Sequence, residues 1–142
     1  MRDRKGRASS YRIRRPIVSG AGPRRFAILE HEWAGVHWDI LLECGDALRT
    51  WAVDAPIVPG VDLPARALPD HRPAYLDYEG PISGDRGTVR RVASGTYLAI
   101  EWGERLVRVE LSGDQLAGRA EFRASGPVGP WTRWTFRLGN RD

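Results

Sequence analysis

Two histidines and an aspartate, His31, His37 and Asp39, lie close together in the sequence. His37 and Asp39 are two residues apart, so on a β-strand both side chains project from one face. A hairpin through the short segment 32–35 would bring His31 back beside them. Two imidazoles and one carboxylate, with positions left open for water, are a common ligand set for a catalytic divalent metal. The spacing therefore predicts a metal site, with surface or hydrogen-bonded core histidines as the alternative.

The remaining histidine, His71, precedes Tyr75 in a proline-rich segment. This segment contains too much proline for a regular helix, but a single turn would place both side chains on one side. A histidine can orient or protonate a phosphate oxygen, and a tyrosine can donate a hydrogen bond to one. The pair is therefore a candidate for phosphate chemistry.

The elements that must position these residues are short and rich in alternating apolar positions, which is the pattern of β-strands. Strands are predicted over residues 26–31, 35–44, 48–53, 87–93, 95–101, 106–111, 118–123 and 131–138. Glycine-containing turns separate them. About eight short strands at this spacing predict an antiparallel barrel or sandwich.

Residues 54–86 are the exception to this pattern. They form a long, proline-rich connection in which 63–68 and 71–78 are each expected to be a short helix or an irregular crossing. Connections of this length are often functional.

The charge of the chain is concentrated at its beginning. The formal net charge is +4, but residues 1–25 contain nine Lys and Arg and one acid, giving +8 and leaving −4 for the other residues. We therefore predict a basic N-terminal arm over 1–25 and a folded domain over 26–142. Such an arm has non-specific affinity for nucleic acid, although a solubilising segment has the same composition.

Composition excludes several classes of protein. Hydrophobic residues make up 42% and charged residues 28%, which is ordinary for a globular domain. No apolar run approaches the roughly 20 residues that span a bilayer, and no apolar segment follows the basic start as in a secretory signal. The single cysteine, Cys44, fits a reducing compartment. We expect a cytoplasmic protein without membrane contact.

Five segments in order resemble the 3′-phosphoesterase domain of bacterial DNA ligase D and its stand-alone relatives. Residues 37–43 (HWDILLE) resemble the family's H-Y-D-F-R-L-E, and 48–53 (LRTWAV) its L-K-S-W-A-V. Residues 70–80 (DHRPAYLDYEG) resemble D-H-P-x-x-Y-x-x-F-E-G. The segments 26–31 and 87–89 also fit, so the resemblance covers nearly all of the predicted domain.

This resemblance implies an all-β fold, a small closed antiparallel β-barrel of about eight strands with one long crossover and at most one or two short helices. It implies a manganese-dependent enzyme of DNA repair that removes a 3′-phosphate and, in many members, a 3′-ribonucleotide. His31, His37 and Asp39 match the family's metal ligands, for which zinc or iron would also be tolerated. His71 and Tyr75 match the residues that contact the phosphate.

Two departures from the family pattern remove basic residues. Leu41 occupies the position of the family's arginine, and Ala55 that of a lysine. A leucine cannot supply the planar fork that grips phosphate oxygens. Four arginines are candidates to replace these groups in binding phosphate or DNA, with ordinary solvated side chains as the alternative: Arg66, Arg72, Arg86 and Arg90.

Three functions are consistent with these residues. The first is a metal-dependent phosphoesterase that acts on DNA or RNA/DNA 3′ ends, with any ligase or polymerase partner expected on a separate chain. The second is a module that binds nucleic-acid ends but has impaired catalysis, which the losses at Leu41 and Ala55 would explain. The third is a β-barrel interaction protein with incidental histidines.

Overall fold

The computed structural model describes residues 23–139. These residues form nine strands and one short 3-10 turn. The elements in chain order are β1 (Arg24–Glu32), β2 (Val36–Cys44), β3 (Ala47–Val53), β4 (Asp62–His71), the 3-10 turn (Pro73–Leu76), β5 (Gly80–Pro81), β6 (Thr88–Trp102), β7 (Leu106–Gly113), β8 (Gly118–Ala124) and β9 (Trp134–Gly139).

Eight of the strands close into a barrel. The order is β1-β2-β3-β4-β9-β8-β7-β6, and β6 returns to pair with β1, while the two-residue β5 adds to the start of β6. Every pairing is antiparallel. Residues 72–87 form the one long crossover, from β4 to β6. The predicted all-β closed barrel is confirmed.

The prediction for residues 63–68 was wrong in its local structure. These residues are neither a helix nor an irregular crossing but lie within β4, which pairs with β3 and β9. Pro64 and Pro69 weakened the strand pattern, since proline cannot donate to a ladder. Pro69 is tolerated because it lies in an irregularity, where the register with β3 shifts between Leu48 and Thr50.

Three predicted boundaries also change. The segments 87–93 and 95–101 are not separate strands but one continuous strand, β6, which pairs with β1 in its first part and β7 in its second. The strand predicted over 131–138 begins later, at Trp134. Arg24 and Arg25, assigned to the basic arm, belong to β1. Residues 1–22 of that arm lie outside the described residues.

The interior of the barrel is filled by alternate residues of all eight strands. Aromatic rings occupy its centre, where Trp51 stacks on Phe122 at 4.0 Å between ring centroids and meets Trp134 edge-on at 5.5 Å. Ile40 and Leu42 of β2 belong to this core, and Trp38 packs against it. The apolar face of the strand predicted to contain His37 therefore points inward, and the face that carries the histidine points outward.

A second apolar cluster lies on the outer face of β1, β2 and β3. Its buried residues are Ala27, Leu29, Leu41, Leu48, Leu76 and Val89. Leu76 comes from the 3-10 turn, so the crossover covers this part of the sheet.

Asp77 anchors the crossover to β1 through two hydrogen bonds from Arg25, at 2.6 and 3.2 Å. Glu79 accepts the backbone N–H of Arg91 at 2.8 Å. In the described part of the chain, no helix is long and apolar enough to span a membrane.

Candidate metal centre on the outer face of the barrel

The β1–β2 hairpin places His31 directly opposite His37, and Leu29 opposite Asp39. Residues that face each other across two strands project from the same side of the sheet. The hairpin turns through residues 33–35, and Ala34 and Gly35 have the positive φ values that are frequent in short hairpin loops. The predicted hairpin therefore forms, and it brings all three predicted ligands onto the outer face.

The three side chains converge on one point. Asp39 Oδ1 lies 3.1 Å from His37 Nε2, and Asp39 Oδ2 lies 3.8 Å from His31 Nδ1. The two imidazole rings meet edge to face, with centroids 4.7 Å apart. One ligand atom from each residue lies within 4.8 Å of the others. Ligand atoms bound to one ion at about 2.0–2.2 Å lie at most about 4.4 Å apart, so a small inward movement of the side chains would bring all three into one coordination shell.

The carboxylate of Asp39 is the strongest indication that a cation belongs here. Asp39 is 3% exposed, and its Oδ1 is a buried atom without a hydrogen-bond donor. The short approach to His37 Nε2 is a close contact without hydrogen-bond geometry. A buried carboxylate oxygen without a donor is costly, and a bound cation removes that cost. The donor set and its geometry therefore fit a divalent metal.

Burial sets the electrostatics of this group. It lowers the pKa of His37, although the charge of Asp39 opposes the effect. Burial also raises the pKa of Asp39, although the nearby histidines and Arg66 act to lower it. A lowered histidine pKa favours the neutral imidazole, which is the form that binds a metal.

A backbone carbonyl fixes the orientation of His31. His31 Nε2 lies 2.8 Å from the carbonyl oxygen of Arg86. Because a carbonyl only accepts, Nε2 must carry the ring proton and donate it, which leaves the lone pair on Nδ1. Nδ1 is the atom that faces Asp39. Metal-binding histidines commonly hold their other ring nitrogen in this way.

Gly87 allows the loop that carries this carbonyl to approach β1. It has a φ of +77°, and a Cβ on it would lie 1.8 Å from the carbonyl oxygen of Glu32. Ile82 N–H donates to the Gly87 carbonyl at 2.8 Å, so the loop closes on itself. A glycine is therefore required here both for backbone conformation and for space.

The second predicted cluster also forms. His71 ends β4 and Tyr75 lies on the 3-10 turn, with ring centroids 5.8 Å apart in an edge-to-face arrangement. His71 Nδ1 lies 2.9 Å from the carbonyl oxygen of Pro69, so Nδ1 carries the proton and Nε2 is the second nitrogen. His71 stands opposite Leu48 of β3, and Tyr75 packs against the second apolar cluster, so this pair lies on the same outer face as the three predicted ligands.

The four candidate arginines have different surroundings. Arg66 binds Asp54 at 2.7 Å, and Arg90 binds Glu30 at 2.7 Å. The Arg86 side chain donates to Ser83 in its own loop. The Arg72 guanidinium lies 5.9 Å from the centre of the Tyr75 ring. Arg66 is the member of this set whose charge acts on both His37 and Asp39.

The two positions at which the family resemblance predicts basic residues hold apolar ones. Leu41 is fully buried in the second cluster beneath the crossover, and Ala55 packs partly buried against the barrel core. Neither position offers a side chain to a phosphate.

Sequence reasoning missed two groups at this site. The Arg86 carbonyl has no signal in the sequence, because any residue supplies a backbone oxygen. Asp54 could have been noticed, since an acid directly follows the strand that ends at Val53. Its significance lies in its ion pair with Arg66, which comes from another strand.

The sequence of this chain matches a known family of domains over most of its length. The family model of the DNA ligase D 3′-phosphoesterase domain matches residues 29–123. That range contains all three predicted metal ligands, His71 and Tyr75.

Two relatives extend the comparison. The chain is 35% identical over 137 residues to the multifunctional non-homologous end joining DNA repair protein LigD of Mycobacterium tuberculosis, covering 87% of this chain and 17% of that protein. It is 34% identical over 71 residues to the multifunctional non-homologous end joining protein LigD of Pseudomonas aeruginosa, covering 49% of this chain and 8% of that protein. The chain thus spans less than a fifth of the length of either relative.

Proposed function

The chain belongs to the DNA ligase D 3′-phosphoesterase domain family, and from that premise we propose that it is a divalent-metal-dependent phosphoesterase that processes DNA 3′ ends in repair. The observation that carries this proposal is the convergence of His31, His37 and Asp39, in which the buried Oδ1 of Asp39 has no hydrogen-bond donor. The substrate we propose is a DNA strand with a 3′-phosphate or a 3′-terminal ribonucleotide.

The three converging residues would hold the metal, with manganese favoured by the nitrogen and oxygen donors and zinc or iron also compatible. A bound divalent ion supplies charge neutralisation at phosphorus and a more acidic water. The chain itself orients the ligands, since the Arg86 carbonyl directs Nδ1 of His31 toward Asp39.

His71 and Tyr75 are the groups we propose for the phosphate. Since Nδ1 of His71 is bound to the Pro69 carbonyl, Nε2 is the atom that can hold a proton. From there it either donates a hydrogen bond to a phosphate oxygen or protonates the leaving 3′ oxygen. The Tyr75 hydroxyl donates a hydrogen bond to a phosphate oxygen. Both roles require the side-by-side placement that the 3-10 turn provides.

A second candidate function is supported by Leu41 and Ala55. Leu41 is buried and Ala55 is partly buried, and neither residue can replace the basic group that the family resemblance predicts at its position. A domain without these basic groups could bind nucleic-acid ends through the metal and the arginines without efficient turnover.

The deciding experiment uses a 3′-phosphorylated oligonucleotide with and without manganese. We expect metal-dependent release of inorganic phosphate, abolished in His37→Ala. Bound-metal analysis of the two proteins checks that the variant has lost the ion. Binding of the oligonucleotide without release of phosphate would favour the end-binding module. A protein that takes up no metal and binds no oligonucleotide would contradict both functions. Metal-dependent shortening of an oligonucleotide with a 3′-terminal ribonucleotide, measured by electrophoresis, tests the second substrate.

The basic arm and the partners form a separate part of the proposal. We propose that residues 1–25 add salt-sensitive affinity for DNA, because their charge is strongly positive. Deleting residues 1–22 should weaken DNA binding most at low salt. Unchanged binding would contradict this role. A ligase or polymerase partner is tested by co-purification with the separate chains.

A further inference from the structure

The site has lost two basic groups of its family, and one arginine stands where it can replace them. Pairing across β2, β3 and β4 aligns Asp39 with Ala52, and Ala52 with Arg66. These three residues therefore project from the same face. Ala52 is short, so the long side chain of Arg66 can cross the roughly 10 Å that separates alternate strands.

Asp54 lies in the neighbouring row of the same face. The register of β2 and β3 pairs Trp38 with Val53, so one residue further it brings Asp54 opposite His37. The charge of Asp54 acts on His37, in agreement with this position. Asp54 Oδ2 accepts a hydrogen bond from Arg66 Nη1 at 2.7 Å. The pair thus flanks the metal ligands on the side away from His31.

We propose that Arg66 is the phosphate-binding guanidinium of this site and that Asp54 holds it until a terminal phosphate takes the place of the carboxylate. This inference rests on the proposed function and names the group that recognises its substrate. A guanidinium binds phosphate oxygens through two parallel hydrogen bonds, as it binds a carboxylate. Both side chains are accessible for the exchange, with exposed fractions of 48% and 69%.

The other candidate arginines are less suitable. Glu30 and Arg90 stand directly opposite each other, one residue out of phase with His31, and so lie on the other face of the sheet. The Arg86 side chain folds back onto Ser83. Arg72 lies over the Tyr75 ring, next to His71 rather than beside the metal ligands.

The test compares binding of two oligonucleotides, one with a 3′-phosphate and one with a 3′-hydroxyl, to the full chain in metal-free buffer. Turnover is not needed, so the inference can be judged whether or not the protein proves to be an enzyme. We expect Arg66→Ala to reduce the preference for the 3′-phosphate roughly tenfold. Arg66→Lys keeps the charge without the fork and should lose less. Asp54→Asn should increase the preference a few-fold, since it removes the competing carboxylate.

A matched control lies at the start of β4, where Asp62 stands opposite Arg137 of β9. Arg137 and Asp62 form an ion pair at 2.9 Å with exposed fractions of 49% and 62%. Arg137→Ala and Asp62→Asn should leave the preference unchanged. The inference is overturned if Arg66→Ala, folded by circular dichroism, retains the full preference, or if Asp54→Asn weakens it as much as Arg66→Ala does. If the wild type releases phosphate while Arg66→Ala is unaffected in KM and in binding, the proposed function stands and this inference fails.

Discussion

On the outer face of β7 and β8, residues that stand opposite each other carry opposite charges, whereas on the outer face of β1 and β2 they are two imidazoles. Arg108 faces Glu121, and Glu110 faces Arg119. Arg108 Nη2 lies 2.8 Å from Glu121 Oε2, and Arg119 Nε lies 3.4 Å from Glu110 Oε1. We call this the ion-pair face, and the surface formed by His31, His37 and Asp39 the histidine face.

The ion-pair face contributes to folding stability, whereas the histidine face does not. A cross-strand pair of opposite charges contributes roughly 0.2–1 kcal/mol to folding. Two imidazoles placed opposite each other gain nothing comparable and repel each other when protonated. Asp39 adds a buried oxygen without a donor. The histidine face is therefore arranged at a cost to folding, as is common where a site must bind an ion.

The largest effect that would test this comparison is expected for His37→Ala. Removing one of three ligands should abolish stable metal binding and lower phosphate release on the order of a thousandfold, given the several kcal/mol that a metal supplies. The melting temperature of the metal-free protein should hardly change. Metal analysis and the phosphate assay measure the first two effects. Retention of both would show that the histidine face is not a metal site.

His71→Ala should affect chemistry without affecting the metal. We expect phosphate release to fall roughly a hundredfold, as for loss of a general acid or an orienting group. Manganese affinity, measured by calorimetry, should remain that of the wild type, because His71 is not among the three converging residues. A parallel loss of metal would place His71 among the ligands and contradict the separation of the two clusters.

Gly87→Ala tests the support of His31. The added Cβ would meet the Glu32 carbonyl, so the loop must move and take the Arg86 carbonyl away from Nε2. Metal affinity should fall about 10- to 100-fold, as for other losses of such support. Nitrogen NMR of the His31 ring should show that the proton no longer resides on Nε2 alone.

Gly60→Ala is the matched control for this substitution. Gly60 also has a positive φ, of +84°, but a Cβ there would meet nothing within 4 Å. Both substitutions carry the cost of a left-handed backbone, and only Gly87→Ala displaces the loop. Equal losses of metal affinity in the two variants would contradict the role of the Arg86 carbonyl.

Asp39→Asn should separate folding from binding. In metal-free buffer we expect the free energy of unfolding to rise by about 1 kcal/mol, because a buried charge without a donor is removed. With manganese present the order should reverse, since the wild type alone is stabilised by the ion. Chemical denaturation in both buffers measures this reversal. A variant that is less stable than the wild type in both buffers would contradict the inference that Asp39 destabilises the metal-free fold.

The smallest effect is expected on the ion-pair face. Burial acts to raise the pKa of Glu121, but hydrogen bonds from Arg108 and Arg123 outweigh it and lower that pKa. The stability from this group is therefore complete above the pKa of the unfolded chain and is lost as the pH falls through the lower folded value. Glu121→Gln should cost less than about 1 kcal/mol at neutral pH. Its stability should also fall less on acidification, and metal affinity should not change.

Local sequence was sufficient for much of the site. His31, His37 and Asp39 lie on one hairpin, and alternation together with a short turn fixes which side chains share a face. The same reasoning predicted most of the strands. It failed for β4, because Pro64 and Pro69 hide the pattern and because that strand is held by its neighbours β3 and β9 rather than by its own propensity.

The sequence by itself determined the types of the three candidate ligands, their spacing and the hairpin that gathers them, since these depend on residues close in the chain. Only the tertiary structure decided that the Arg86 carbonyl holds His31 and that Arg66 pairs with Asp54 beside the ligands. The first contact joins residues 55 positions apart, and the second depends on the register of β3 with β4. That register is set by closure of the barrel and packing of its core, which no local pattern encodes.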